Sequence, residues 1–289
     1  MIGSAAPASF HTPGVRALLV KQQSRLKHFF SRLRSYFIFD PLIWFYTVIM
    51  GSLSLLSSLV DRDGRIQHWF AVTWSKMILK TIGVPLTVRG MERIDTTRPH
   101  MYALNHLSAL DIPAVYVALP CHFRIMAKQE LFRYPFMGWH MRRSGQVSIE
   151  RDNASTSMRS LNRAAAILKS GQPLVVFPEG GRSATGQVKP FLPGVFYVAI
   201  KAGVDVVPMA LVGTYEVVSM KTFHIKPRPV ELLVGEPISS AGYGPRQMDQ
   251  LAAKVQKAVE DLYYSRAEVP RPEKASSPDG TAGIESLSH

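Results

Sequence analysis

The 289-residue sequence contains a single cysteine, Cys121. One cysteine excludes a disulfide framework and a cysteine-based metal cluster, and it fits a reducing, cytosol-facing environment. Buried structural cysteines are the common case, so Cys121 is not taken as a nucleophile. Acidic residues are also scarce: 21 Asp and Glu stand against 34 Lys and Arg, a net charge of +13. That excess calls for an anionic partner, whether nucleic acid, an acidic membrane surface or a phosphorylated substrate. Nucleic acid is set aside, because the basic residues are scattered, many beside apolar segments, and no recognised reading motif is present. The start of the chain lacks a basic run followed by an apolar core and a small-residue cleavage site, so no secretory signal is expected. The Gly-x4-Gly-Lys-Ser/Thr phosphate loop is missing as well, and there is no internal repeat.

Apolar residues, by contrast, are plentiful at 46%. From Pro41 to Val60 there is no charged residue. About 20 residues of helix at ~1.5 Å each cover the ~30 Å hydrocarbon core of a bilayer. Trp44 and Tyr46 stand where interfacial anchors belong, and Lys21, Arg25, Lys27, Arg32 and Arg34 precede them, which predicts a cytoplasmic N-terminal end. From Ile66 to Ile82, Trp69, Phe70, Trp74, Met77 and Ile78 recur at helical spacing with Lys76 and Lys80 opposite, as in a helix lying in the interface. The two segments are read as a helical hairpin, spanning or dipping, with both ends on the cytoplasmic side. The alternative is a buried core helix.

Beyond Val84 short apolar runs alternate with longer amphipathic ones, which predicts an α/β domain: a mixed, largely parallel sheet flanked by helices. Strands are expected near Leu86, Met101, His122, Gln146, Pro173, Val206 and Val230. Helices are expected over Ala154–Lys169, with Met158, Leu161, Ala165 and Leu168 on one face, and over Arg246–Tyr264. The expected organisation is a basic segment at 1–36, a membrane-associated hairpin at 37–83, a catalytic domain at 84–266 and a disordered tail at 267–289.

Two clusters carry chemistry. Asn105–Asp111, NHLSALD, follows one expected strand and precedes an apolar helical run, so it sits at a strand-to-helix turn facing a cleft. On one regular helix His106 and Asp111 would point roughly 140° apart. With His106 still in the loop and Asp111 in the first helical turn, the carboxylate reaches the imidazole, fixes its tautomer and leaves the other nitrogen to take a proton from an alcohol. No serine partner accompanies the pair, so the activated hydroxyl belongs to a substrate. Zinc is excluded for His106, since no neighbouring His or Cys completes a ligand set and His122 and His140 lie at no metal spacing. The second cluster, Phe177–Ser183, FPEGGRS, ends another strand. Gly180 and Gly181 let the backbone approach a ligand, Arg182 offers a planar fork to phosphate oxygens, and Glu179 can bind a polyol or support the first cluster.

In order and separation, these motifs resemble those of the glycerophospholipid acyltransferases. In that family an Asn-His-x4-Asp block supplies the catalytic His and Asp, here His106 and Asp111. A Phe-Pro-Glu-Gly-x-Arg-Ser block binds the acceptor, here through Glu179, Gly180, Gly181 and Arg182. Gly145–Arg151 is similar to the block whose Arg holds the acceptor phosphate, and Ala127–Trp139 to an intervening segment that suggests Lys128 as a further contact. Val206–Gly213 resembles the fourth block, and the likeness as a whole covers Val84–Gly235. Gly181 stands where Thr is usual, and Pro193 where many members carry Lys before the glycine. The resemblance implies transfer of a fatty acyl group from acyl-CoA or acyl-ACP to the sn-2 hydroxyl of lysophosphatidic acid at a membrane, with no cofactor and no metal. It leaves open another lysolipid acceptor, such as a lyso-ornithine lipid, and, outside enzymes, a non-catalytic lipid-binding protein.

Overall fold

A computed structural model of the chain describes residues 25–150, 153–220, 222 and 224–272. Arg151, Lys21, most of the basic leader and most of the expected tail lie outside the described residues.

The first element, α1 (Arg25–Ser57), is one helix with a π-helical stretch at Ser35–Phe39, and it is long and apolar enough to cross a membrane. Only 11% of its apolar window is buried, with Trp44, Phe45, Val48, Leu53 and Leu56 among the side chains left exposed. Asp61 turns the chain into α2 (Arg65–Thr81): its carboxylate accepts the N–H groups of Gly64, Arg65, Ile66 and Gln67 at 3.0, 3.2, 2.8 and 3.1 Å. Those are the otherwise orphaned donors of a helix start. The two helices pack together, and the indole N–H of Trp74 donates to Thr47 Oγ1 at 3.0 Å. Trp69 stays exposed. Ile78 does not join it: with Ser75 and Leu79 it is buried where α2 meets the domain.

The domain is a seven-stranded sheet in the order β1-β7-β6-β2-β5-β3-β4. Its strands are β1 (Leu86–Arg89), β2 (Met101–Leu104), β3 (Arg124–Lys128), β4 (Val147–Ile149), β5 (Leu174–Val176), β6 (Val206–Val212) and β7 (Val230–Val234). All neighbours run parallel except β6 and β7. The mixed, largely parallel sheet expected from the sequence is therefore what forms, with a strand at each expected place. Central strands are buried on both sides, which is why they read as unbroken apolar runs. Met101 and Ala103 face a layer holding α5 (Ala154–Lys169), α6 (Tyr197–Ala202) and α8 (Met248–Tyr264). Tyr102 and Leu104 face the opposite layer, α2 and α3 (Asp111–Ala118). Two short helices, α4 (Met137–Arg143) and α7 (Thr214–Val217), complete the set used below.

Two details differ from expectation. On α5 the buried seam is Leu161, Ala164, Ala165 and Leu168, while Met158 is 45% exposed, so the seam begins one turn later than its apolar pattern suggests. Residues 267–272, placed in the tail by composition, lie against α8: Arg271 stacks on Tyr264 and reaches Glu260 and Asp261, and Arg228 pairs with Glu268.

Candidate active site

The C-terminal ends of β2, β5 and β3 lie side by side, the edge at which open parallel sheets bind ligands. β2 runs into Asn105, whose side-chain amide extends the ladder to β6: Nδ2 donates to the Leu211 carbonyl at 2.9 Å and Oδ1 accepts the Leu211 N–H at 2.8 Å. Both groups are buried, and this clamp fixes where the chain leaves the sheet. His106 follows in the loop, and α3 starts at Asp111 itself.

Asp111 Oδ2 sits 2.7 Å from His106 Nδ1 and also accepts the N–H groups of Leu107 at 2.7 Å and Ser108 at 2.9 Å. A carboxylate oxygen beside Nδ1 accepts a hydrogen bond from an Nδ1–H, so the ring's other nitrogen, Nε2, is left as the acceptor. The Asp111 side chain is fully buried and that of His106 is 19% exposed, so the imidazole is the member that meets the cleft. Ser108 Oγ donates to the Val218 carbonyl at 2.7 Å, pinning the loop from its far side. The ring of Phe177 lies 4.3 Å from that of His106, centroid to centroid, and covers one face of it.

Glu179 answers the question its motif left open. It is buried, and Oε1 accepts the backbone N–H of His106 at 2.8 Å while Oε2 accepts that of Lys189 at 3.2 Å. Burial pushes its carboxyl up to about 8, with nearby Asp111 adding to the rise, while both N–H donors and the Lys189 ammonium work in the other direction. The Ser183 N–H also donates to the His106 carbonyl, at 2.9 Å. The second motif thus grips both backbone polar groups of the histidine in the first. Gly180 adopts φ 75°, a left-handed conformation open to glycine, in the turn closed by its N–H on the Phe177 carbonyl at 3.1 Å.

Arg182 and Lys128 are exposed at this edge. A Cβ on Gly181 would lie 3.8 Å from Lys189 Nζ and 4.0 Å from Lys128 Nζ, so two ammonium groups converge on the space that a side chain there would occupy. His106, Asp111, Lys128, Glu179, Gly180, Gly181 and Arg182 are therefore brought together, and Arg151 lies outside the described residues. Sequence reading missed Asn105 as a clamp and Lys189 as a cation of the site. Asn105 was visible as the first letter of its motif; Lys189 had no signal beyond lying shortly before Pro193. Among the described residues no group of three or more His, Cys, Asp and Glu side chains is disposed to hold a metal ion.

Residues 85–212 match the family model described as Acyltransferase. The chain is 29% identical over 197 residues to the 1-acyl-sn-glycerol-3-phosphate acyltransferase of Cocos nucifera, covering 67% of this chain but 63% of that protein. It is 25% identical over 269 residues to the Homo sapiens 1-acyl-sn-glycerol-3-phosphate acyltransferase beta, covering 91% and 93%. The crystal structure of the 1-acyl-sn-glycerophosphate (LPA) acyltransferase PlsC from Thermotoga maritima superposes with a TM-score of 0.64 at 27% identity, over 82% of this chain and 95% of that one. Motifs, sheet and relatives agree: residues 85–212 form an Acyltransferase domain, and the chain is similar in sequence and fold to the 1-acyl-sn-glycerol-3-phosphate acyltransferases.

Proposed function

We propose that the chain is a 1-acylglycerol-3-phosphate O-acyltransferase, which moves a fatty acyl group from acyl-CoA or acyl-ACP to the sn-2 hydroxyl of lysophosphatidic acid. The observation that carries this reading is the 2.7 Å contact between His106 Nδ1 and Asp111 Oδ2 at a sheet edge lined with cations. His106 Nε2 takes the hydroxyl proton as the oxygen attacks the thioester carbonyl. The C–S bond then breaks, and the imidazolium returns the proton to the departing thiolate. Asp111 holds the tautomer and stabilises the imidazolium. No acyl-enzyme is needed: the hydroxyl of Ser108, the serine of the same loop, is engaged with the Val218 carbonyl at 2.7 Å.

The acceptor phosphate is held by Arg182, Lys128 and Arg151, joined by Lys189. Each charge-assisted contact contributes about 1.5–3 kcal/mol at full burial and less at an exposed edge. Gly180 and Gly181 leave room for it. Lys189 supplies the positive charge that Pro193 removes, and Gly181, without a side chain, opens the space between Lys189 and Lys128 to the phosphate. Glu179 positions the His106 backbone and does not touch the acceptor.

α1 holds the protein in the membrane, with the sheet edge on the cytoplasmic face. Support comes from its uncovered apolar surface and the Arg and Lys residues at its N-terminal end. The test offers membranes containing the protein labelled acyl-CoA or acyl-ACP with a panel of lysolipids. Labelled phosphatidic acid from lysophosphatidic acid is expected. Product from a lyso-ornithine lipid alone would move the acceptor assignment, and no product from either donor would remove the activity.

A further inference from the structure

The segment between β3 and α4 begins at Lys128, beside the candidate site, and ends in a helix packed against the last turns of α1, where Ser54 Oγ and His140 Nδ1 lie 3.1 Å apart. Between these anchors large apolar side chains face outward: Leu131, Tyr134, Phe136, Met137 and Trp139, with Phe136 67% and Trp139 50% exposed. They stand on a braced platform. Phe132 is buried beneath them, the Arg142 guanidinium donates to the Phe132 carbonyl, and Gly138 packs so closely that a Cβ would collide with that same carbonyl.

Phe136 itself is held in a costly conformation, φ 57° and ψ −62°, with the Met137 N–H donating to the Pro135 carbonyl at 2.6 Å. That is a γ-turn about a positive φ, which is rare and strained. It is the one non-glycine positive φ among the described residues. The Phe136 ring meets that of Trp139, itself half-exposed, at 5.3 Å between centroids, so the strained turn presents an aromatic pair to the outside of the folded chain. The charges around it say what it faces. From Lys128 to Arg143 the basic residues are Lys128, Arg133, Arg142 and Arg143, all exposed, against Glu130 as the acid. An aromatic tip ringed by cations matches the boundary between headgroups and acyl chains of an anionic leaflet. The platform also lies beside the last turns of α1, joined to them by the Ser54–His140 contact.

We propose that residues 131–139 are a second membrane contact: a rigid aromatic prong that enters an anionic leaflet beside α1 and seats the mouth of the His106 cleft on the lipid surface. The inference rests on the reading that α1 lies in the membrane. An acceptor with an insoluble tail then reaches the site along the prong without leaving the bilayer.

The test uses the full chain in a Cys121→Ala background, with a single introduced cysteine at Met137, Leu53 or Lys257, each carrying a fluorescent label. The protein is reconstituted into phosphatidylcholine–phosphatidylglycerol vesicles containing lipid-borne quenchers. The Met137 label is expected to be quenched to within about twofold of the Leu53 label, with the Lys257 label unaffected. Quenching at Leu53 but not at Met137 would overturn the prong and leave α1 in the membrane. Quenching at neither would overturn both. A second measurement uses Phe136→Ser/Trp139→Ser and compares KM for a long-chain lysolipid in vesicles with KM for a short-chain, water-soluble one. The ratio is expected to rise about tenfold relative to the unaltered protein, and an unchanged ratio would overturn the proposal.

Discussion

Glu179 Oε1 accepts the backbone N–H of His106 at 2.8 Å, a bond between residues from the ends of two adjacent strands. The same carboxylate accepts the Lys189 N–H, so one buried acid ties together the histidine loop, the glycine turn and the segment that carries the extra cation. A site assembled this way is sensitive to residues that never meet the substrate.

Glu179→Gln tests this through pH. Its carboxyl, raised to about 8 from 4.5, holds its proton more tightly in the folded chain than in the unfolded one. The associated stability is fully present below about pH 4.5 and is lost as pH rises to about 8, at up to roughly 1.4 kcal/mol per pH unit. Unfolding free energies measured across that window should fall for the native chain relative to Glu179→Gln. Parallel curves would show that the carboxyl does not titrate there.

Asn105→Ala leaves the Leu211 N–H and carbonyl buried without their partner. The expected cost is about 2–5 kcal/mol in unfolding free energy, with turnover falling as well because the histidine loop loses its anchor. A stability change below about 0.5 kcal/mol would mean that the clamp is not formed.

Asp111→Asn places an amide where one oxygen accepts three N–H groups. The tautomer of His106 is then no longer enforced, and kcat is expected to drop by about 10² to 10⁴ with KM for either substrate little changed. Wild-type kcat in this variant would remove Asp111 from the mechanism.

Lys189→Gln removes one of the two ammonium groups flanking Gly181. KM for lysophosphatidic acid should rise about tenfold, with a smaller change for a lysolipid lacking a phosphate monoester and little change in kcat. Lys189→Arg should restore most of the affinity. Equal effects on both acceptors would place Lys189 away from the phosphate.

Much of this was legible in the residues. The central strands announce themselves because burial on both faces makes every position of Met101–Leu104 and Leu174–Val176 apolar. His106 and Asp111 could be paired because five residues spanning a loop and a first helical turn bring two side chains together where a continuous helix would not. What stayed hidden depends on distance along the chain. The Asn105 clamp spans 106 residues, and no local pattern marks Leu211 as its partner. Lys189 matters because its segment folds back beside Gly181, and the outward Phe136 is set by one backbone torsion that composition does not encode.

The most direct measurement compares purified wild-type protein with His106→Ala in lipid vesicles, using labelled acyl-CoA and lysophosphatidic acid, at matched folding as judged by thermal unfolding. Phosphatidic acid should form with the wild type and fall by at least about 10² with His106→Ala, because the hydroxyl then has no base. Equal rates from the two proteins would contradict the assignment of His106 as the general base.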